Sequence, residues 1–358
     1  MVASPYQPIY EFTRGGTVES VHFGAAAVVD AEGNMIAHFG DPQAVTFLRS
    51  SAKPFQALPF FSNNGPENFQ LNGEEKAIIC ASHSGTDKHV EVIRSIQRKV
   101  GIDESELLCG THPALHEPTA ERMRDQKEII TPNRHNCSGK HSGMLAFVQL
   151  LNHQGIQFPE ELAYLDFAHP IQADILKTFA SICSLEVEKI ALGVDGCSAP
   201  NFAVPLYNAA LAYARLAAPE KWAAGSPAQR KACRTIFQAM TGHPEMVAGP
   251  GRFDTELMCA TGGRIVSKGG AEGYQAIGLA PGVLGPGSTG IGITLKISDG
   301  DDRNLVRSAV ALEVMRQLGV LSEDELKNLQ GKGPDFILHN AREITVGHGY
   351  PSFKLERP

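Results

Sequence analysis

Strand-forming segments lie near both ends of this chain, with helical patterns between them, and this order limits how a sheet can be assembled. Residues 18–30 (VESVHFGAAAVVD) and 34–39 (NMIAHF) flank a Glu32-Gly33 turn, and their β-branched and aromatic content predicts a hairpin. Near the other end, residues 273–279 (GYQAIGL) and 291–298 (IGITLKIS) are short apolar runs bounded by Gly and Pro, so they predict two more strands. Residues 87–100, 171–183, 205–217, 227–240 and 303–318 repeat apolar positions every three or four residues, as helices do. Ser322 with Glu325 adds a capping box for a last short helix. A parallel βαβ fold would alternate its elements more regularly, so the expected class is α+β, with an antiparallel sheet formed by the N- and C-terminal segments. With no repeat and no long linker, residues 1–358 read most simply as a single domain, although the length also permits two.

Composition removes several functional classes. The chain of 358 residues carries 32 Lys and Arg against 39 Asp and Glu, a net charge of -7, with no dense basic run to meet a phosphate backbone, so no nucleic-acid partner is expected. No apolar run approaches the roughly 18 residues that a membrane span needs, and the first residues lack the basic and apolar regions of a leader. Seven scattered cysteines suit reduced thiols in a reducing compartment, and the expected location is cytoplasmic.

A Gly-rich motif at Gly285, Gly287 and Gly290 fits the dinucleotide fingerprint in spacing, yet Pro286 interrupts it and a strand follows where a helix is required. It predicts a turn. More informative is Ser50, Ser51, Ala52, Lys53, Pro54, an S-x-x-K-P sequence whose proline belongs in the first turn of a helix. Three residues apart on one helical face, the Lys53 amine can reach the Ser50 hydroxyl and act as its general base. The motif alone equally fits a helix cap followed by a solvated lysine. Residues 77–81 (AIICA) read as a buried strand with Ser82, His83 and Ser84 at its end, and Lys268 follows the apolar stretch RIVS with glycines after it. The order resembles that of penicillin-recognising serine hydrolases and serine-dependent glutaminases, without their Ser-Asp-Asn and Lys-Thr-Gly elements.

Cys137, Lys140 and His141 precede an apolar helix expected to begin near Met144, and Asp195 and Cys197 follow another apolar stretch. Thiols and histidines together invite a metal reading. The spacing is not that of a zinc finger, and buried cysteine as a small hydrophobe is the simpler account of these residues taken alone.

Taken in order, VESVHFG at 18, RSSAKPFQALP at 49, CASHSG at 80, HNCSGKHSGM at 135, GVDGCSAPNFAVPL at 193, GPGRFDTELM at 249 and SKGG at 267 resemble the rhizobial-type (class 3) zinc-containing L-asparaginases over nearly the whole chain. That resemblance implies a fold like the serine β-lactamases and glutaminases, a homodimer, and hydrolysis of L-asparagine to L-aspartate and ammonia. It also implies two serine-lysine pairs, Ser50 with Lys53 and Ser82 with Lys268. Cys137, Lys140 and Cys197 are the implied zinc ligands, and Arg49, His141 and Asp195 are implied to surround the substrate and a metal-bound water. Within the same chemistry, a glutaminase or another small-amide hydrolase is the alternative.

Overall fold

Tyr10 in the first strand lies opposite Pro351 in the last, so the two ends of the chain meet at the centre of one sheet. The computed structural model describes residues 4–159 and 161–358. Its strands are β1 (Gln7–Arg14), β2 (Thr17–Asp30), β3 (Met35–Phe39), β4 (Val45–Phe47), β5 (Ala191–Val194), β6 (Pro200–Pro205), β7 (Ile265–Gly269), β8 (Tyr274–Leu279), β9 (Ile291–Ile297), β10 (Phe336–His339) and β11 (Thr345–Pro351). Eight of them form a sheet in the order β10-β11-β1-β2-β9-β8-β7, with β3 added against β2. The neighbours pair antiparallel. The mixed α and β class and the terminal origin of the sheet are as the sequence predicts.

The chain divides into two compact units. The first comprises residues 1–51, 204–221 and 256–358 and holds the large sheet. Helix Leu206–Ala217 packs on β8 and β9, and helix Val306–Leu318 packs on β8, β9 and β11. Gly292 makes the first of these contacts possible. A Cβ there would lie 1.7 Å from the Ala210 carbonyl oxygen, so any side chain would push the helix off the sheet. Asp301 accepts the main-chain N–H groups of Leu305, Val306 and Arg307, satisfying donors that the start of the second helix leaves open.

The second unit comprises residues 52–203 and 222–255. Its central element is the helix Lys53–Ser62, nine of whose ten residues are buried. Such a helix is buried on all sides because other helices surround it. It packs against Ser138–His153, Pro170–Cys183 and Pro227–Gly242. Phe55 and Phe60 are almost wholly inaccessible, each worth about 1.5–3 kcal/mol of apolar burial.

Two local expectations fail. The AIICA segment forms no strand: its first three residues end helix Gly73–Ile79 and Cys80 caps it, because Asn72 and Glu75 form a capping box that starts the chain into a helix before the apolar run. The helix expected to begin near Met144 begins at Ser138, which places Lys140 and His141 on the helix itself. Its early start depends on Gly139, where a Cβ would lie 2.1 Å from the Ile78 carbonyl oxygen. The predicted turn at Gly285 to Gly290 does lead into β9.

Candidate active site

Lys53 is the first residue of the central helix, with Pro54 following in the first turn as the sequence predicts. The side chain is 1% exposed. Its Nζ donates to the Ala81 carbonyl oxygen at 2.5 Å and to Ser82 Oγ at 2.8 Å. Ser82 leaves the end of helix Gly73–Ile79, and its N–H is fixed on the Val247 carbonyl oxygen at 2.9 Å. The lysine of the S-x-x-K sequence therefore touches Ser82, the serine that the resemblance pairs with Lys268.

Ser50 and Lys268 belong to the first unit. Ser50 is half-buried in the 3-10 turn Arg49–Ala52. Arg49 opens that turn at φ +51°, a left-handed conformation that costs a residue with a Cβ free energy and is often found at functional sites. Ser51 holds the turn in place: its Oγ donates to the Lys268 carbonyl oxygen at 2.6 Å, and its own carbonyl oxygen accepts Tyr213 Oη at 2.7 Å. Gly270 lets the two segments approach, since a Cβ there would lie 2.4 Å from the Leu48 carbonyl oxygen. Lys268 lies within β7 and is 1% exposed, with Nζ donating to the Gly269 carbonyl oxygen at 2.7 Å. Arg49 also reaches Glu272 at 3.7 Å.

Around Lys53 and Ser82 the second unit gathers a polar cluster. Lys140 Nζ lies 2.9 Å from Cys197 Sγ, and the Cys137 and Cys197 thiols are hydrogen-bonded to each other. All three side chains are buried. The two thiols compete for one negative charge. Cys137 falls well below the usual thiol range because Cys197 donates to it and Lys53 and Lys140 stand nearby, an effect that outweighs burial. Cys197, as donor and likewise buried, moves up. Burial works against the Lys140 charge, but the Cys197 and Cys137 sulfurs outweigh it and raise the amine above its ordinary value. Asp195, half-buried in the turn between β5 and β6, adds negative potential at Lys140.

Among the described residues, no group of three or more His, Cys, Asp and Glu side chains could hold a metal ion. The converging set here is two sulfurs and one amine nitrogen. The depressed Cys137 thiol supplies the thiolate that zinc binds, while the Lys140 amine, which the two sulfurs keep protonated, becomes a donor only when an ion displaces its proton. With that proton released, Cys137, Lys140 and Cys197 would offer such an ion three donors.

Three histidines line the cluster as neutral rings. His83 lies well below its ordinary value through burial and the nearby His89 and Lys53. His135 falls to about 4 through burial and His112, and His141 falls to about 4 through burial, partly offset by Cys197. The backbone fixes the tautomer of two of them. Gly85 N–H donates to His83 Nδ1 at 3.1 Å, and Cys137 N–H donates to His135 Nδ1 at 3.0 Å. His83 Nε2 then donates to Ser138 Oγ at 2.9 Å, which donates to the Asn133 carbonyl oxygen at 3.0 Å.

The family model for L-asparaginase II matches residues 10–349. The chain belongs to the L-asparaginase II family. This membership makes it an amidohydrolase, and the match runs through both units. No curated protein matches the chain by sequence. Among solved structures, this family member is similar to a Bacillus glutaminase determined in 4.3 M NaCl, at 13% identity and TM-score 0.37 over 83% of this chain and 91% of that one. It is also similar to a Bacillus subtilis glutaminase in covalent complex with 5-oxo-L-norleucine, at 14% identity and TM-score 0.37 over 84% and 89% of the two chains.

Among the described residues, no helix is long and apolar enough to cross a membrane. Sequence reasoning missed Tyr164, whose hydroxyl lies 2.6 Å from His141 Nδ1. Nothing in its neighbourhood (ELAYLDF) carries a motif.

Proposed function

We propose that this asparaginase-family chain hydrolyses the side-chain amide of L-asparagine to L-aspartate and ammonia by serine-lysine catalysis. The observation that supports this most is the buried Lys53 amine in contact with a serine hydroxyl at 2.8 Å, in a chain whose family is that of amidohydrolases. Ser50 Oγ attacks the amide carbon and its proton passes to Lys53 Nζ. The tetrahedral intermediate collapses, and the proton held by Lys53 reaches the departing nitrogen by way of Ser82, so ammonia leaves. Water then attacks the β-aspartyl ester, gives up its proton by the same route, and restores the Ser50 hydroxyl as aspartate departs. Lys268 and Arg49 belong to the unit that carries Ser50, where their positive charge favours binding of the substrate's carboxylate. His141 and Asp195 are proposed to orient the substrate. Cys137, Lys140 and Cys197 would hold zinc, which supplies Lewis acidity for the substrate's polar groups. The resemblance further supports a cytoplasmic homodimer.

A second assignment is favoured by the same contact: Ser82 is the hydroxyl that Lys53 touches, and it could be the nucleophile instead. A diazoketone analogue of asparagine separates the two, because it alkylates the attacking oxygen. Peptide mapping should find the label on Ser50. Labelling of Ser82 transfers the role, and ammonia release from glutamine in preference to asparagine changes the substrate. Failure to hydrolyse any small amide would defeat the proposal.

A further inference from the structure

His141 is fully buried on the helix Ser138–His153, one residue after Lys140. Its Nδ1 lies 2.6 Å from the Tyr164 hydroxyl, with the rings edge to face at 84°. Its Nε2 is buried, meets no nitrogen or oxygen acceptor among the described residues, and has the Cys197 sulfur as the neighbour that acts on the ring. Tyr164 is itself only 6% exposed. Its oxygen accepts the Leu108 N–H at 2.9 Å, and its main-chain oxygen accepts Gln172 Nε2 at 2.8 Å, so it is held from both sides.

Two arrangements of the shared proton are conceivable, and they differ in what they leave unsatisfied. If His141 Nδ1 carried the hydrogen, it would donate to the Tyr164 oxygen, which already accepts from Leu108, and the phenol O–H would have no acceptor among its described partners. A buried hydroxyl without an acceptor costs about 1–3 kcal/mol. With the phenol donating to Nδ1, every group of the chain Leu108, Tyr164, His141 is used, and the remaining Nε2–H can go to the Cys197 sulfur beside it or to an acceptor on a ligand.

We propose that Tyr164 is a positioning residue: its hydroxyl donates to His141 Nδ1, fixes the imidazole as the Nε2–H tautomer and holds that N–H ready to donate within the Lys140 and Cys197 cluster. A bound group that meets His141 must then present an acceptor, such as a carboxylate or carbonyl oxygen. The tautomer follows from the hydrogen bonds alone. Only the kinetic consequence rests on the amide-hydrolase reading.

Imidazole nitrogen resonances of histidine-labelled protein as purified, with His141→Gln identifying the signal, test the proposal. In the wild type the His141 Nδ1 should be unprotonated and the Nε2 protonated. Tyr164→Phe, which keeps the ring and removes the donor, should convert His141 to a mixture of tautomers, and kcat should fall about 10-fold to 100-fold while KM changes little. A wild-type His141 protonated at Nδ1, a tautomer unchanged in Tyr164→Phe, or a changed tautomer with unchanged kcat would each overturn it. If Tyr164→Phe does not fold, the wild-type spectrum decides alone. If the wild type hydrolyses no amide, the functional reading fails while the tautomer measurement stands.

Discussion

Ser51 and Lys268, 217 residues apart in sequence, are joined by a 2.6 Å hydrogen bond from the serine hydroxyl to the lysine carbonyl oxygen. Ser51 is fully buried, so Ser51→Ala removes a donor that water cannot replace. The expected loss is about 1–3 kcal/mol, visible as a melting temperature several degrees lower. The turn carrying Ser50 should also loosen, and kcat should drop although Ser51 touches no reacting atom. A Ser51→Ala protein with unaltered melting and unaltered kcat would show that the turn is held by other contacts.

Lys53 offers the sharpest catalytic test. Lys53→Met keeps the length of the buried stem and removes the amine, so the helix should form while kcat falls by at least about 100-fold. Circular dichroism and a melting curve on the same sample separate lost chemistry from lost packing. Retention of most activity would move the proton-accepting role away from Lys53.

For the metal, elemental analysis of protein purified without chelators should find about one zinc per chain. Cys137→Ser should lower that content, because the alcohol does not supply a thiolate. Chelation should weaken substrate binding more than it lowers kcat. Absence of zinc, together with no binding on titration, would remove the ion from the proposal.

His89 gives a pH prediction away from the cluster of thiols. Burial, partly offset by the Glu245 carbonyl oxygen that Nε2 meets at 2.8 Å, lowers its value to about 4 from the ordinary 6.5. The unfolded chain therefore binds a proton below about pH 6.5 that the folded chain refuses until about pH 4. Stability is full above that window and falls as pH decreases through it, by about 3 kcal/mol for one such histidine. Melting temperatures between pH 7 and 4 should show a shallower decline in His89→Asn than in the wild type. Parallel curves would assign the acid sensitivity to other groups.

Much of this architecture is legible in the sequence, and the failures have identifiable causes. Helices Asp87–Val100 and Pro227–Gly242 announce themselves by periodicity and caps. AIICA does not, because five apolar residues fit a buried strand or a buried helix equally well, and the Asn72 cap that decides the matter lies upstream of the run. Residues 138 to 143 carry two glycines and polar side chains, a poor local case for helix. Tertiary contact with Ile78 and Ile79 overrides that preference. Lys53 could be singled out from its spacing to Ser50, but its contact with Ser82 depends on how the second unit folds. Tyr164 is found only in three dimensions, since the groups it serves lie 23 and 56 residues away.

The pairing of β1 with β11 also bears on how the molecule is made. During synthesis β1, β2 and β3 leave the ribosome before the second unit does, and their neighbours β9 and β11 follow only after it. Residues 52–203 and 222–255 are complete before then and can bury their own core. The nascent hairpin meanwhile carries unpaired strand edges, including the edge of β2 that β9 will cover. A chain stopped before residue 291 would keep that edge open and should aggregate, and a rearranged gene that places residues 256–351 directly ahead of β1 should bring the central strands together early.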